Sequence, residues 1–248
     1  MHDLDIARTP RWSNVGRDRK ALAIWRTMER NFGPGVSKGA WLDVGCGSGA
    51  IATTLAGIAR HVTGIDPEPW DAWRGAMAEH SNLRLMVGEF DGPEPPLPGA
   101  SIDVVVCNQV YEHVRDPFAL IRNINRVLVP GGVCYFAGPN LLWPIEPHVF
   151  WPFVHWLPRS TAHRTMTVLG SRCASELDAY STTSWRLVSW FRQSGFSVRN
   201  AIPQRALSIE GKGLQPRVMR TFGRLPGVVH DLLLPLMPSF VFLLKKQS

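Results

Sequence analysis

Hydrophobic and polar positions follow two alternating periods through the first 140 of the chain's 248 residues. Leu22, Trp25, Met28 and Phe32 recur at helical spacing and predict an amphipathic helix from Asp18 to Phe32, stopped by Gly33-Pro34-Gly35. Short apolar runs then predict strands at 40–44, 61–65, 83–87 and 102–108, with helices at 48–58 and 70–79 between the first three. The run Val104-Val105-Val106 is β-branched and continuous, as in a parallel strand buried on both faces. A helix over Pro117–Leu128 leads through Pro130-Gly131-Gly132 into a fifth strand at 133–138. Strands alternating with helices across short turns predict an α/β fold built on a doubly wound, mostly parallel sheet.

Beyond the fifth strand the period is lost. Residues 139–181 mix Pro139, Pro144, Pro147, Pro152 and Pro158 with Trp143, Phe150, Trp151, Phe153 and Trp156. A connection of that length is expected to be a lid or binding loop. Thr182-Thr183-Ser184 offers an N-cap for a helix over 185–194 closed by Gly195, followed by a sixth strand at 196–202 and a seventh near Ser239–Lys245. The domain reading is an N-terminal helical lid (1–37) on one domain (38–248), with aromatic-rich cap insertions at about 139–181 and 203–238. The stretch Leu225–Leu244, flanked by Arg220, Arg224, Lys245 and Lys246, has two readings. One is peripheral contact with a membrane surface; the favoured one is a packing helix plus a terminal antiparallel strand. Its apolar core, Leu232–Leu244, contains Pro235, Pro238 and Ser239 and falls short of the ~18–20 residues that span a bilayer.

Composition narrows the class. Hydrophobic residues make up 45% and charged residues 19%, the balance of a globular chain. The net charge of +7 is uneven, −2 over residues 1–158 and +9 over 159–248. No compact Lys/Arg run with interleaved aromatics points to nucleic acid. Cys46, Cys107, Cys134 and Cys173 form no CxxC pair and no metal-ligand spacing, so no metal is expected. The polar, acidic start Met1-His2-Asp3-Leu4-Asp5 is not a signal peptide, and the expected location is cytoplasmic, with peripheral membrane contact left open.

The chemistry concentrates in Leu42-Asp43-Val44-Gly45-Cys46-Gly47-Ser48-Gly49-Ala50. Three alternate glycines between a strand and a helix make a turn that a ligand can approach closely. The pattern satisfies both G-x-G-x-G and G-x-G-x-x-A, so on its own it leaves a dinucleotide open. Asp66, 21 residues beyond Gly45 at the end of strand two, suits ribose hydroxyls in either case. Asp43 separates the two: a pyrophosphate would meet an uncompensated negative charge there, whereas a cationic amino-acid moiety would be welcomed.

With these residues the chain resembles the class I S-adenosylmethionine-dependent methyltransferases over about residues 38–140, most of all the group that includes ubiquinone and menaquinone biosynthesis methyltransferases. Leu42–Gly49 resembles that family's first motif, and Asp66 its ribose-binding acid. Gly88-Glu89-Phe90 resembles the loop whose acid faces the adenine amino group, with Glu89 where Asp is usual and Asp91 as a substitute. Ile102-Asp103-Val104-Val105 with Asn108 and Glu112-His113-Val114 resembles the fourth strand and its exit, and Leu128–Gly132 the turn before strand five. The resemblance implies S-adenosyl-L-methionine as cofactor, held by Asp43, Gly45, Cys46, Gly47, Gly49, Asp66, Pro67, Glu89, Phe90 and Asn108.

The expected activity is methyl transfer to a small-molecule or lipid-linked acceptor, O-methylation slightly favoured. An NAD(P)-dependent oxidoreductase and a non-catalytic cofactor-binding protein are the alternatives. A hydroxyl acceptor needs a general base. His113 at the strand-four exit and His148 in Glu146-Pro147-His148 are the candidates, ahead of Tyr111, Glu112 and Glu146. Trp143, Trp151 and Trp156 either anchor the cap or roof the acceptor.

Overall fold

A computed structural model describes residues 16–146, 149–171 and 181–247. Seven strands form one sheet: β1 (Ala40–Val44), β2 (His61–Asp66), β3 (Leu83–Val87), β4 (Ile102–Asn108), β5 (Leu128–Pro139), β6 (Phe196–Asn200) and β7 (Ser239–Lys246). Their order is β3-β2-β1-β4-β5-β7-β6, with β7 antiparallel to both neighbours and the first five strands parallel. The expected doubly wound sheet of seven strands is therefore present. The order reverses beside β1, the position where open α/β sheets bind ligands outside the carboxyl ends of their strands.

Nine helices are described: α1 (Arg17–Phe32), α2 (Ala50–Ala56), α3 (Ala72–Glu79), α4 (Pro117–Val127), α5 (Arg159–Val168), α6 (Ser184–Gln193), α7 (Ile202–Leu207), α8 (Leu214–Gly223) and α9 (Gly227–Leu233). α4 starts as its sequence dictates: Pro117 occupies the first turn, and Asp116 Oδ1 accepts from Phe118 N and Ala119 N, both at 3.0 Å. At α6 the expected cap is only half realised. Thr183 sits in the N-cap position with extended backbone, but its hydroxyl caps nothing.

Two readings shift. The buried stripe of α1 runs through Ala21, Ile24 and Met28, with Trp25 and Phe32 only flanking it. The reason is that α1 packs against two helices, α2 and α7; on the α7 side Thr27 Oγ1 lies 3.3 Å from Ser208 Oγ. The fifth strand also begins earlier than expected. Ile102 pairs with Leu128, and the register then slips so that Val104 pairs with Val133. The Pro130-Gly131-Gly132 turn is an irregularity inside the ladder, with Gly131 at φ 75°.

Leu225–Leu244 divides as favoured above. α9 and a short 3-10 turn (Leu234–Leu236) lead into β7, whose Phe240–Leu244 is buried at the centre of the antiparallel edge. Among the described residues no helix is long and apolar enough to cross a membrane.

The main core lies on both faces of the sheet. Around β5 it is aromatic: Phe136 meets Phe191 edge-on at 4.9 Å, and Phe191 meets Phe242 at 5.5 Å. The stretch after β5 has a small core of its own, Val149, Val154, Ala162 and Met166, with Trp151 packed on it. It is fastened at its root. Asn140 Nδ2 donates to Pro235 O (2.7 Å) and Met237 O (2.8 Å), while Leu141 N donates to Thr182 O (3.1 Å). Tyr111 sits under this root, fully buried, its hydroxyl donating to Pro139 O and accepting from Thr182 N at 3.2 Å. Its ring fills the space a side chain on Gly138 would need, since a Cβ there would lie 2.3 Å from Tyr111 Cε1.

Removing that hydroxyl leaves buried backbone groups unpaired, at a cost of about 1–3 kcal/mol. Tyr111→Phe is expected to lower unfolding stability in urea by this amount with cofactor affinity unchanged. A neutral substitution would show that Tyr111 does not tie the cap to the sheet.

Candidate functional site

The carboxyl ends of β1, β2 and β3 surround an open cavity of about 560 Å³, part of it open to solvent, lined by Gly45, Pro67, Glu89, Phe90, Val110 and His113 among others. Its floor is the glycine loop between β1 and α2. Gly45 has φ 67°, and a Cβ on it would lie 2.5 Å from Val110 Cγ2, so glycine is required there twice over.

The loop is pinned by its neighbours. Gly45 N and Cys46 N donate to Ile65 O (2.8 and 3.1 Å), Gly49 N donates to Cys46 O (3.0 Å), and Gly47 N donates to Asp66 Oδ2 (2.8 Å). Trp73 Nε1 donates to Gly47 O at 2.8 Å. Four loop amides thus already have acceptors inside the protein, unlike a pyrophosphate cradle, which must offer its N–H groups to the ligand.

What the loop offers is negative charge. Asp43 is 2% exposed, and its Oδ2 has no partner among the described residues. Burial raises its carboxyl to about pH 7, opposed by the positive charge of Arg17 and assisted by the negative charge of Asp66. Asp66 Oδ1 also accepts from Glu68 N (3.2 Å), which fixes the carboxylate's plane between Ile65 and Pro67, two residues that line the cavity. Such a set suits a nucleoside joined to a cation: one buried acid lacking a partner, one acid oriented at the end of β2, and an exposed acid, Glu89, on the wall.

The other expected residues fall as follows. Pro67 and Phe90 line the cavity, Phe90 as a buried side chain. Cys46 contributes backbone only. Its thiol is buried against Gly64, and burial pushes it far above the usual thiol range. Asn108 is half-buried at the end of β4, paired with Ala137. His113 is exposed on the wall that also carries Glu89. Asp91, the substitute for Glu89, is committed elsewhere: its Oδ2 accepts from Arg115 N at 2.8 Å. Glu112 is fully buried next to Gly138. The Tyr111 phenol is pushed up by burial and held by backbone, which suits a strut better than a base.

In the cap, Glu146 accepts from Val149 N at 2.6 Å and closes its own turn. His155 Nε2 lies 3.1 Å from Leu141 O and 2.8 Å from Trp143 O. Trp151 is core and Trp156 half-exposed. His148, Pro147 and Cys173 lie outside the described residues. Among those described, no group of three or more His, Cys, Asp or Glu could hold a metal ion.

Sequence reasoning missed Arg17. At the first turn of α1 its Nη1 reaches Ser48 Oγ at 3.3 Å, which brings a cation to the glycine loop from a helix distant in sequence. The only signal was a basic residue one position before the predicted helix. Gln109 was missed as well. It leaves β4 with φ 61°, a conformation with a steric cost for a non-glycine residue.

Comparison with known proteins agrees with this geometry. The family model for a methyltransferase domain matches residues 42–136. A ubiquinone biosynthesis O-methyltransferase of Actinobacillus pleuropneumoniae is 35% identical over 106 residues, 40% of this chain and 45% of that protein. A probable S-adenosylmethionine-dependent methyltransferase of Mycolicibacterium smegmatis is 39% identical over 99 residues, 40% of this chain and 37% of that protein. The matched part thus spans less than half the length of these relatives. Among solved structures, an S-adenosylmethionine-dependent methyltransferase from Mesorhizobium loti superposes with a TM-score of 0.59 at 17% identity, covering 90% of this chain and 98% of that one.

Two outcomes test the site. Asp66→Ala should weaken S-adenosylmethionine binding by about 1.5–3 kcal/mol, roughly ten- to a hundredfold in Kd, because charged hydrogen bonds to the ribose and to Gly47 N are lost together. An unchanged isotherm would remove Asp66 from the site. Asp43 makes binding pH-dependent. Its folded carboxyl is raised from 3.8 to about 7, so the ligand-free protein keeps a proton that the unfolded chain has lost, and stability falls as pH rises between those values. A cation seated on Asp43 favours the carboxylate, so affinity should climb with pH up to about 7 and then level off. Calorimetry on Asp43→Asn should give a flat profile; a wild-type slope in that variant would assign the proton to another group.

Proposed function

We propose, from the match of residues 42–136 to the family model of a methyltransferase domain, that the protein transfers a methyl group from S-adenosylmethionine to a small-molecule or lipid-linked acceptor, with oxygen as the favoured nucleophile. The observation that carries the reading is the buried Asp43 Oδ2 without a partner beside a loop whose amides are already engaged. That is a seat for a cation. Bound there, the cofactor supplies an electrophilic sulfonium methyl group.

The chain's own residues do the rest. Asp66 accepts from the ribose hydroxyls, and Glu89 accepts from the adenine amino group, since Asp91 is tied to Arg115 N. Asp43 takes the cationic amino group of the methionyl moiety, and Arg17, which reaches Ser48 and is felt electrostatically at Asp43, takes its carboxylate. With the cofactor held at both ends, what remains is to bring the acceptor into line and exclude water, which accounts for ~7–11 kcal/mol of the barrier in well-oriented systems. The cap rooted at Asn140 does the excluding, and His113, on the cavity wall, takes the proton from the acceptor hydroxyl. His148 is the second candidate for that proton. The names of the curated relatives, O-methyltransferases of ubiquinone biosynthesis, support an oxygen acceptor.

Incubation with methyl-labelled S-adenosylmethionine and a lipid-containing extract of the source cell should label a product extractable into organic solvent. NAD(H) binding without S-adenosylhomocysteine binding would overturn the reading. With the acceptor in hand, His113→Gln and His148→Gln are compared by pH profile. Loss of the base should lower kcat about 10²–10⁴-fold and abolish the acid limb; a change in the cofactor's KM alone would make His113 a wall residue.

A further inference from the structure

The residues outside the cavity have an unusual surface. Phe150 is 78% exposed and Phe153 51%, and Trp156, tilted against Phe153 with ring centroids 5.0 Å apart, is 49% exposed. Both phenylalanines hold left-handed backbone, at φ 55° and 61°. A bulky side chain there is strained where glycine or asparagine would not be. Folding therefore gains little from these two rings: their backbone is costly and at least half of each side chain is exposed to water. On α8 and α9, Leu214, Val228 and Leu232 are exposed at 78%, 64% and 74%.

The two apolar sets rise from the same end of the sheet. Pro139, the last residue of β5, pairs with Ser239 at the start of β7, and Asn140 bonds Pro235 and Met237 in the turn after α9. That end also carries the mouth of the cofactor cavity, built on the carboxyl ends of the parallel strands. The charge around them is mainly positive. Residues 149–171 hold Arg159 and Arg164 and no acid; residues 210–233 hold Lys212, Arg217, Arg220 and Arg224 against Glu210, paired with Arg26, and Asp231, which accepts from Asn200 Nδ2, so bases outnumber acids six to two over the two stretches.

We propose that the cap aromatics and the α8–α9 face form one docking surface for the interfacial zone of an anionic lipid bilayer. Aromatic rings favour the headgroup region, and Lys and Arg near the surface each add about 1 kcal/mol of attraction to anionic lipid. A protein partner would need acidic complementarity to the same bases and a pocket for each ring, whereas a bilayer meets both demands without shape. The docked orientation turns the cavity mouth toward the lipid, where a membrane-dissolved acceptor would enter. The surface itself does not depend on the identity of that acceptor.

The test is co-sedimentation of the full chain with vesicles of phosphatidylcholine alone and of phosphatidylcholine mixed with phosphatidylglycerol. Binding is expected to the mixed vesicles, to weaken with salt, and to be slight on the neutral ones. Phe150→Asn with Phe153→Asn should lower the partition coefficient about tenfold or more, with the thermal midpoint and S-adenosylhomocysteine affinity kept, because asparagine suits the left-handed backbone. Lys212→Glu with Arg217→Glu and Arg224→Glu, all exposed, provides an independent variant should the first fail to fold, and it should lose anionic selectivity. No sedimentation with mixed vesicles, or binding unaffected by either variant, overturns the proposal. So does a wild-type dimer in light scattering that the Phe variant dissolves, with no vesicle binding, which would make the surface a self-contact. Loss of S-adenosylhomocysteine binding would strike the proposed function and leave the vesicle result standing.

Discussion

The site depends on one hydrogen bond, from the Gly47 amide to the Asp66 carboxylate at 2.8 Å. The chain leaves β1 through a tight reversal braced internally by the bond from Gly49 N to Cys46 O (3.0 Å). It is held from the side by β2: Ile65 O takes two amides, Asp66 takes the third, and Trp73 at the start of α3 takes the carbonyl that follows. The same carboxylate therefore fixes the loop and, in the proposed function, accepts from the ribose. On that reading ribose binding and loop geometry are coupled through one residue, and the end of β2 cannot shift without moving the floor of the cavity.

The loop is also built unlike a phosphate site. Amides that would cradle an anion are engaged, and the buried group beside them that lacks a partner is a carboxylate, Asp43 Oδ2. Asp43 is costly. Its burial destabilises the charged form enough to raise the carboxyl to about 7, and Arg17 offsets only part of that. A hydrophobic or amide side chain at this position would serve folding better. Destabilised charge at a ligand-facing position is what a binding site for a cation requires, because the ligand then supplies the missing partner.

Where local signals were strong, the structure was legible in advance. Strands one to four, the α4 cap at Asp116-Pro117 and the acid at the end of β2 each follow from a few adjacent residues, and all stand where the pattern put them. The failures have tertiary causes. On α1 Met28 was read correctly, but Ala21 and Ile24 take the buried places expected for Leu22 and Trp25, because the helix is buried on two sides and a single-face period cannot represent that. Arg17 was invisible because its importance comes from Ser48, 31 residues away. Tyr111 and Asp91 read as candidate catalytic or ligand groups, yet backbone partners 28 and 24 residues distant engage them. Polar type and position near a strand exit do not reveal which side chains the backbone has already claimed.

The cap repeats this lesson with the opposite sign. Its tryptophans and phenylalanines read alike in sequence, but the fold sorts them. Trp151 packs on the small core of Val149, Val154, Ala162 and Met166, while Phe150, Phe153 and Trp156 face outward. Hydrophobic content alone would have made all of them core. Two of the outward set also carry backbone strain, since a residue selected for packing has no reason to be phenylalanine at φ 55° or 61°. Lys212, Arg217 and Arg224 have the same character: they are exposed and line no part of the cavity, where Glu89 and Asp91 stand with His113 and Arg115. The outward rings of the cap and the exposed bases around α8 are thus residues that neither the core nor the cavity requires.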